Sequence, residues 1–373
     1  MTLNLAIDAV GAKHSGGATV LTDLLTAATT DCRFAQLLVF CSPRDRRIFG
    51  LPASMKVREI ECPFSEASRM YRLWWLENRL PFELRRCGAD VLLCMEGMGS
   101  AGRLPHITFI QQSLPFCSDI VARLGTLERL RMGVILRAME RSCKSSRRVI
   151  VQTPTMLRRV AETFRIPSAR ITVALPTVSD LPNPVTPSNR LATMRDTKVG
   201  LRLLYVGNES PYKNVSFLIG AMGRLRACLP DVTLFLTWPP EHLACRVEGV
   251  VGLGYLRGAE LREAYELATA LVMPSLVETV GLPMFEAMNV GTPVLAANRP
   301  YAHDVCEDTA IFFDPLDLED FVGKVLRLLA DECLRMDLSC RGHKLIEKRR
   351  SERPYERILD VVAEVASARI PRR

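Results

Sequence analysis

The segment Met273-Pro274-Ser275-Leu276-Val277-Glu278-Thr279-Val280-Gly281-Leu282-Pro283-Met284-Phe285-Glu286-Ala287-Met288-Asn289-Val290-Gly291-Thr292-Pro293-Val294 decides how the chain is read. An apolar run ends at Met273, a loop crosses 278–281, and a helix opens near Leu282. Pro283 suits the first helical position, where its missing N–H costs nothing. The amides around Gly281 and Leu282 are then free donors at the positive end of a helix, suited to a diphosphate. Gly281 removes side-chain bulk where the phosphate approaches. Glu278 precedes the helix and Glu286 lies just past its first turn, so both edge one pocket. A carboxylate accepts two hydrogen bonds at once, which suits vicinal sugar hydroxyls. Taken alone, Glu278 reads as ordinary complementation of the helix dipole. The joint pattern is more specific: two glutamates with Gly-Leu-Pro between them and Gly-Thr-Pro after.

Working outward, short apolar runs alternate with helical patterns along the chain. The expected strands are 3–7, 37–40, 57–60, 91–95, 107–110, 149–151 and 171–174, then 201–206, 232–236, 250–253, 270–273, 293–296 and 311–313. Helices are expected at 260–268 and 318–330, among others. Apolar strands alternating with helices indicate parallel sheets covered on both faces. At 373 residues the chain is long enough for two domains. The proline-rich stretch 176–189 continues neither helix nor ladder and reads as the linker. The expectation is an α/β protein: two Rossmann-like doubly wound domains, 1–180 and 190–350, facing a cleft. A closing helix over 355–368, with Ile358, Leu359, Val362 and Val365 on one side, packs back onto the first domain. Such sheets bind ligands at the carboxyl ends of their strands.

Composition narrows the chemistry. No apolar run reaches the roughly 20 residues that span a bilayer, and the N-terminus reads as a strand rather than a leader, so a cytoplasmic location is expected. The twelve cysteines form no CxxC pair and the five histidines are isolated, so reduced thiols and no metal site are expected. Residues 121–160 hold ten Lys/Arg against two Glu, an excess equal to the +8 of the whole chain. That implies a phosphate-bearing partner or a solvated helix face. Without aromatic interleaving or a zinc-finger pattern, nucleic acid is the poorest fit. An anionic membrane surface fits better, and Leu124, Leu127, Leu130 and Val134 form part of an apolar stripe there, on either the core side or the outer side.

The 273–294 segment resembles the signature of the retaining glycosyltransferases of family 4, members of the GT-B fold class. Two further stretches carry the likeness: Leu204-Tyr205-Val206-Gly207-Asn208-Glu209-Ser210-Pro211-Tyr212-Lys213-Asn214, and Gly252-Leu253-Gly254-Tyr255 followed by Tyr265 to Ser275. The likeness is specific over about 200–320 and looser over 1–180, where it rests on strand order and on Gly16-Gly17 after the first strand. It implies that Lys213 neutralises the donor diphosphate, that Glu286 holds the ribose hydroxyls and that Glu278 contacts the transferred sugar. It also implies that Gly207, Asn208, Gly254, Tyr255, Gly281 and Leu282 line the donor. Gly16 and Gly17 would face donor phosphate or acceptor, though a Gly-Gly turn is as readily a plain turn.

Two departures stand out. Asn208 takes a place where the family often has Arg, which leaves the neighbourhoods of Arg202 or Arg257 to supply the second cation. Gln111, in Ile110-Gln111-Gln112-Ser113, stands where many members have a His-Asp pair. Gln orients a hydroxyl but is no general base, so Gln111 is a candidate catalytic-site residue in an orienting role only.

The resemblance implies a retaining hexosyltransferase that needs neither metal nor cofactor. Its donor is of the UDP or GDP type and its acceptor a glycan or lipid-linked glycan, in bacterial surface polysaccharide (lipopolysaccharide) assembly at the inner membrane face. Two other readings stay open: a nucleotide-sugar epimerase on the same fold, and a non-catalytic nucleotide-sugar-binding scaffold.

Overall fold

A computed structural model describes residues 2–10, 15–43, 51–62, 72, 74–99, 102–243 and 247–368. The strands are β1 (Leu3–Asp8), β2 (Phe34–Cys41), β3 (Val57–Glu61), β4 (Val91–Cys94), β5 (His106–Ile110), β6 (Arg148–Val151) and β7 (Ile171–Val173) in the first half. The second half has β8 (Arg202–Tyr205), β9 (Thr233–Leu236), β10 (Val250–Gly252), β11 (Ala270–Met273), β12 (Val294–Ala297) and β13 (Ala310–Phe313). Every expected strand forms; the largest change is β2, which reaches back to Phe34. The chain divides into one unit of residues 1–178 with 353–373, and another of residues 179–352.

In the first unit seven strands lie in the order β3-β2-β1-β4-β5-β6-β7, and in the second six lie in the order β10-β9-β8-β11-β12-β13. All paired strands are parallel. Both sheets therefore reverse direction of growth once, between β1 and β4 and between β8 and β11. At that switch the loops leaving neighbouring strands diverge to opposite faces and open a crevice. The central strands are buried along their length, as β4, β8, β11 and β12 show, because helices cover both faces.

The helices used below are α1 (Ser15–Thr30), α2 (Thr126–Ser145), α3 (Pro154–Phe164), α4 (Val215–Cys228), α5 (Gly258–Leu267), α6 (Leu282–Val290), α7 (Leu318–Ala330), α8 (Glu332–Ser351) and α9 (Pro354–Ser367). Arg353, with φ of 49°, ends the run of α8, and Pro354 opens α9. Helix α9 packs on α1 and on β4, β5 and β6 of the first unit. It buries Ile358, Leu359, Val362 and Val365. Tyr355 Oη donates to the Thr177 carbonyl at 2.8 Å, and Arg148 pairs with Glu364 at 2.7 Å.

One detail differs from the sequence reading, and one that the reading left open is decided by packing. Gly16 and Gly17 lie inside the first turn of α1 rather than in a loop before it; residues 11–14 are outside the described residues. The apolar stripe of 121–160 faces outward: Leu127 is 79% exposed, Leu130 66% and Val134 54%. Helix α2 instead buries Met132, Met139 and Cys143. A 3.6-residue period fixes which residues share a face, not which face meets the core. No helix among the described residues is long and apolar enough to cross a membrane.

Candidate functional site

The site in the second unit begins where β8 and β11 leave the sheet side by side. After β8, Gly207 turns the chain against its own strand. A Cβ there would lie 2.5 Å from Tyr205 Oη, so the close approach of that phenol excludes any larger residue. Tyr205 Oη donates to the Asn208 carbonyl at 3.0 Å, and Trp238 Nε1 donates to the Gly207 carbonyl at 2.9 Å. The Gly207 amide is taken by Thr237 Oγ1 at 3.2 Å. Asn208 Oδ1 accepts from the Ser210 amide at 3.1 Å, an Asx turn. Gly207 and Asn208 thus shape the loop that delivers Lys213.

The loop after β11 is tied to this one. The Leu276 amide donates to the Tyr212 carbonyl at 2.8 Å, and Asn214 Nδ2 reaches the Pro274 and Pro315 carbonyls at 3.4 and 2.9 Å. Asn214 itself sits at φ of 56°, a left-handed position that Asn tolerates well. Tyr301 Oη donates to the Ser275 carbonyl at 2.8 Å. The outcome is that Lys213 Nζ and a Glu278 carboxylate oxygen, 65 residues apart, form an ion pair with side chains only 16% and 10% exposed.

Gly281 then adopts φ of 79°, open to glycine without strain. Leu282 is the first residue of α6, so Pro283 occupies the second position rather than the first. The Gly281 and Leu282 amides have no acceptor among the described residues. Glu286 is half-buried on α6 and accepts from Tyr265 Oη at 2.7 Å. Burial pushes the Glu286 carboxyl up from its ordinary pKa, and the Tyr265 bond pulls it back down. Burial and the neighbouring Glu286 charge push Tyr265 far up in turn.

Gly254 and Tyr255 follow β10. The Gly254 amide donates to the Trp238 carbonyl at 2.7 Å, and Arg190 Nη2 donates to the Leu253 and Tyr255 carbonyls, each at 3.1 Å. The Tyr255 side chain is 57% exposed. Neither Arg202 nor Arg257, the arginines named for the second cation, hydrogen-bonds to Asn208. Arg202 lies at the opposite end of β8, where its guanidinium donates to the carbonyls of Arg195, Thr197 and Leu267. Arg257 is exposed at the start of α5. Among the described residues no three His, Cys, Asp or Glu side chains gather to hold a metal.

In the first unit, Gln111 Nε2 donates to the Met95 carbonyl at 2.9 Å, holding the end of β4. Beside it Gln112 Nε2 donates to Glu96 at 2.8 Å, and Glu96 is 8% exposed. Glu96 and the fully buried Asp8 are carboxyl groups at the carboxyl edge of this sheet that the sequence reading passed over. The signal was an acid closing an apolar run: Glu96 directly after 91–95, and Asp8 directly after Leu5-Ala6-Ile7. Tyr265 was likewise quoted in a motif without a role.

Residues 200–331 match the family model for Glycosyl transferases group 1. The chain is 25% identical over 225 residues to the O-antigen chain mannosyltransferase B of Escherichia coli, covering 57% of this chain and 59% of that protein. Matches to two further curated relatives span 26% and 50% of their lengths. Among solved structures it is similar to a sucrose-phosphate synthase from Thermosynechococcus elongatus, with TM-score 0.74, 17% identity and coverage of 98% and 100% of the two chains. It is also similar to Anabaena HepE in complex with UDP-glucose, with TM-score 0.72, 14% identity and coverage of 97% and 100%. The fold is therefore that of the GT-B class.

Proposed function

We propose that the protein is a retaining hexosyltransferase, as in glycosyltransferase family 4, working on a UDP- or GDP-sugar. The acceptor in this reading is a glycan or lipid-linked glycan of bacterial surface polysaccharide. The observation that carries the proposal is the meeting of Lys213, Glu278 and the free Gly281–Leu282 amides at the switch point of the second sheet. A cation and two unpaired amides at a helix N-terminus suit a diphosphate. The group 1 family match over these residues, and the O-antigen mannosyltransferase relative, support the same reading.

In this mechanism the bond from the anomeric carbon to the diphosphate breaks while the acceptor oxygen bonds to the same face of the sugar. The acceptor proton leaves on a departing phosphate oxygen. Lys213 and the α6 amides meet the negative charge that grows on the leaving group, without a metal. Glu278 holds hydroxyls of the transferred sugar and Glu286 those of the ribose. Within the first unit, Gln111 has in this reading the chemistry to orient a hydroxyl and takes no proton. Gly16 and Gly17 contribute backbone at the start of α1.

The test is titration of the folded protein with UDP and GDP, followed by transfer assays. One of the two should bind and raise the melting temperature. Lys213→Ala should weaken that ligand at least roughly tenfold, because a charge-assisted contact to a phosphate is lost. If neither nucleotide binds, or Lys213→Ala leaves binding unchanged, the donor site is elsewhere. Incubating donor alone separates the epimerase reading, since an epimerase would convert the sugar without acceptor.

The proposal places the protein at the inner face of the membrane through α2. Leu127, Leu130, Val134, Arg137 and Arg141 fall on one exposed helix face by their spacing. Arg137 and Arg141 have no side-chain partner among the described residues, whereas Arg148 is engaged by Glu364 and Arg147 by the Ala368 carbonyl. An apolar patch continued by free cations suits an anionic lipid surface. Arg137→Glu with Arg141→Glu should cut binding to vesicles containing anionic lipid at least roughly tenfold, and raised salt should do the same. Equal binding to neutral and anionic vesicles would return α2 to a solvated surface.

A further inference from the structure

We infer that Tyr265 is a positioning residue for the donor site, acting through Glu286, with Thr292 fixing Tyr265 in turn. The inference rests on the reading of Glu286 as the ribose-binding carboxylate. Tyr265 is fully buried on α5, and its hydroxyl donates to Glu286 Oε2 at 2.7 Å. The backbone of Tyr265 is held from the other side: Thr292 Oγ1 donates to its carbonyl at 2.8 Å. Three segments within 27 residues of chain, the end of α5, the first turns of α6 and the Gly-Thr-Pro entry to β12, therefore interlock around one carboxylate.

The chemistry follows from what a half-buried carboxylate needs. To accept from two vicinal hydroxyls, Glu286 must be ionised and must present a defined oxygen edge. Burial opposes the first, and rotation about its terminal torsion opposes the second. A fixed phenol hydroxyl answers both: it donates to the ionised form and occupies Oε2, leaving Oε1 and the remaining lone pairs for ligand. Other titratable groups stand on the helices packed against α6: Glu263 and Glu266 on α5, His303 and Asp304 on the helix Pro300–Cys306, and Arg349 and Arg350 on α8. Of the described groups, Tyr265 is the one whose bond bears on the Glu286 carboxyl, lowering its pKa against the rise from burial. The sign follows directly. Without the phenol hydroxyl the carboxyl protonates at higher pH, and binding that needs the ionised form fails at higher pH.

The experiment is calorimetric titration of UDP and GDP across pH with the wild type, Tyr265→Phe, Glu286→Gln and the double variant. Tyr265→Phe should bind the preferred nucleotide roughly tenfold more weakly near neutral pH, the scale of one lost charge-assisted hydrogen bond. Its acidic loss of affinity should move to higher pH. Glu286→Gln should keep only the acidic limb of the nucleotide's own phosphate, which titrates at about pH 6, and the double variant should be no weaker than Glu286→Gln alone, because both act through one group. Incorporating 3-fluorotyrosine at 265 keeps the volume and strengthens the donor, and should move the limb to lower pH even if Tyr265→Phe fails to fold. A purely structural tyrosine would move neither limb. If Glu286→Gln weakens the nucleotide while the 265 variants keep the wild-type profile, or if the two losses add, the positioning role is wrong. If Glu286→Gln binds as the wild type does, the ribose reading of Glu286 fails and this inference falls with it.

Discussion

Glu278→Gln should lose sugar transfer by roughly two to three orders of magnitude while holding the nucleoside diphosphate as tightly as the wild type, or more tightly. The first half follows from the proposed contact with the transferred sugar, which strengthens as the sugar departs; removing one such preorganised group costs about 10²–10³ in rate. The second half follows from the ion pair. In the free protein Lys213 is held by Glu278 in a setting where both side chains are largely shielded from water. A diphosphate must draw Lys213 away from Glu278, and it must then lie near an acid that repels it. Gln keeps the shape and removes both the competition and the repulsion. Lys213→Ala is the contrasting variant: it strips the diphosphate of its cation and leaves Glu278 shielded and unpaired beside the phosphates, so binding and rate both fall. Calorimetry with the nucleoside diphosphate and with the full donor, beside transfer rates, separates these outcomes. If Glu278→Gln weakens the bare nucleotide as much as Glu286→Gln does, the division of sugar and ribose between the two glutamates is wrong.

Leu359→Ala should destabilise the first unit by about 2–5 kcal/mol, the range for emptying a well-packed leucine site. Leu359 is wholly buried in α9, between Ile358 and Val362, in a helix that covers β4, β5 and β6 and leans on α1. Strands β4 and β5 beneath the helix are wholly buried, so the space cannot fill without moving the sheet. By contrast Asp360→Ala removes an exposed partner of Arg33 from the same helix, and exposed pairs contribute about 0–1 kcal/mol. Denaturant melts of the two variants should therefore diverge sharply. A Leu359→Ala midpoint within error of the Asp360→Ala midpoint would mean that α9 adds little to the first unit.

What could be read from the chain alone, and what could not, separates along the range of the forces involved. Strands such as β11 (270–273) and β4 (91–94) were legible because a fully buried parallel strand is a short, uninterrupted apolar run, and that property is local. The turn into α6 was legible for a similar reason: Gly281 admits a left-handed turn and Pro283 fixes its own φ, and both are local properties. The spacing of Glu278 and Glu286 could be matched to a known pattern without any knowledge of contacts. Partnership was not legible. No local rule joins Lys213 to Glu278, or Tyr265 to Glu286 and Thr292, because these meetings depend on β8 lying beside β11 and on α5 packing against α6. The same holds for Gly207, whose small size serves the Tyr205 phenol, and for Asn208, whose amide is spent on its own turn. Helix α2 makes the point most simply. Its sequence marks Leu127, Leu130 and Val134 as one face, but only the packing of Met139 and Cys143 against the sheet decides that this face looks outward.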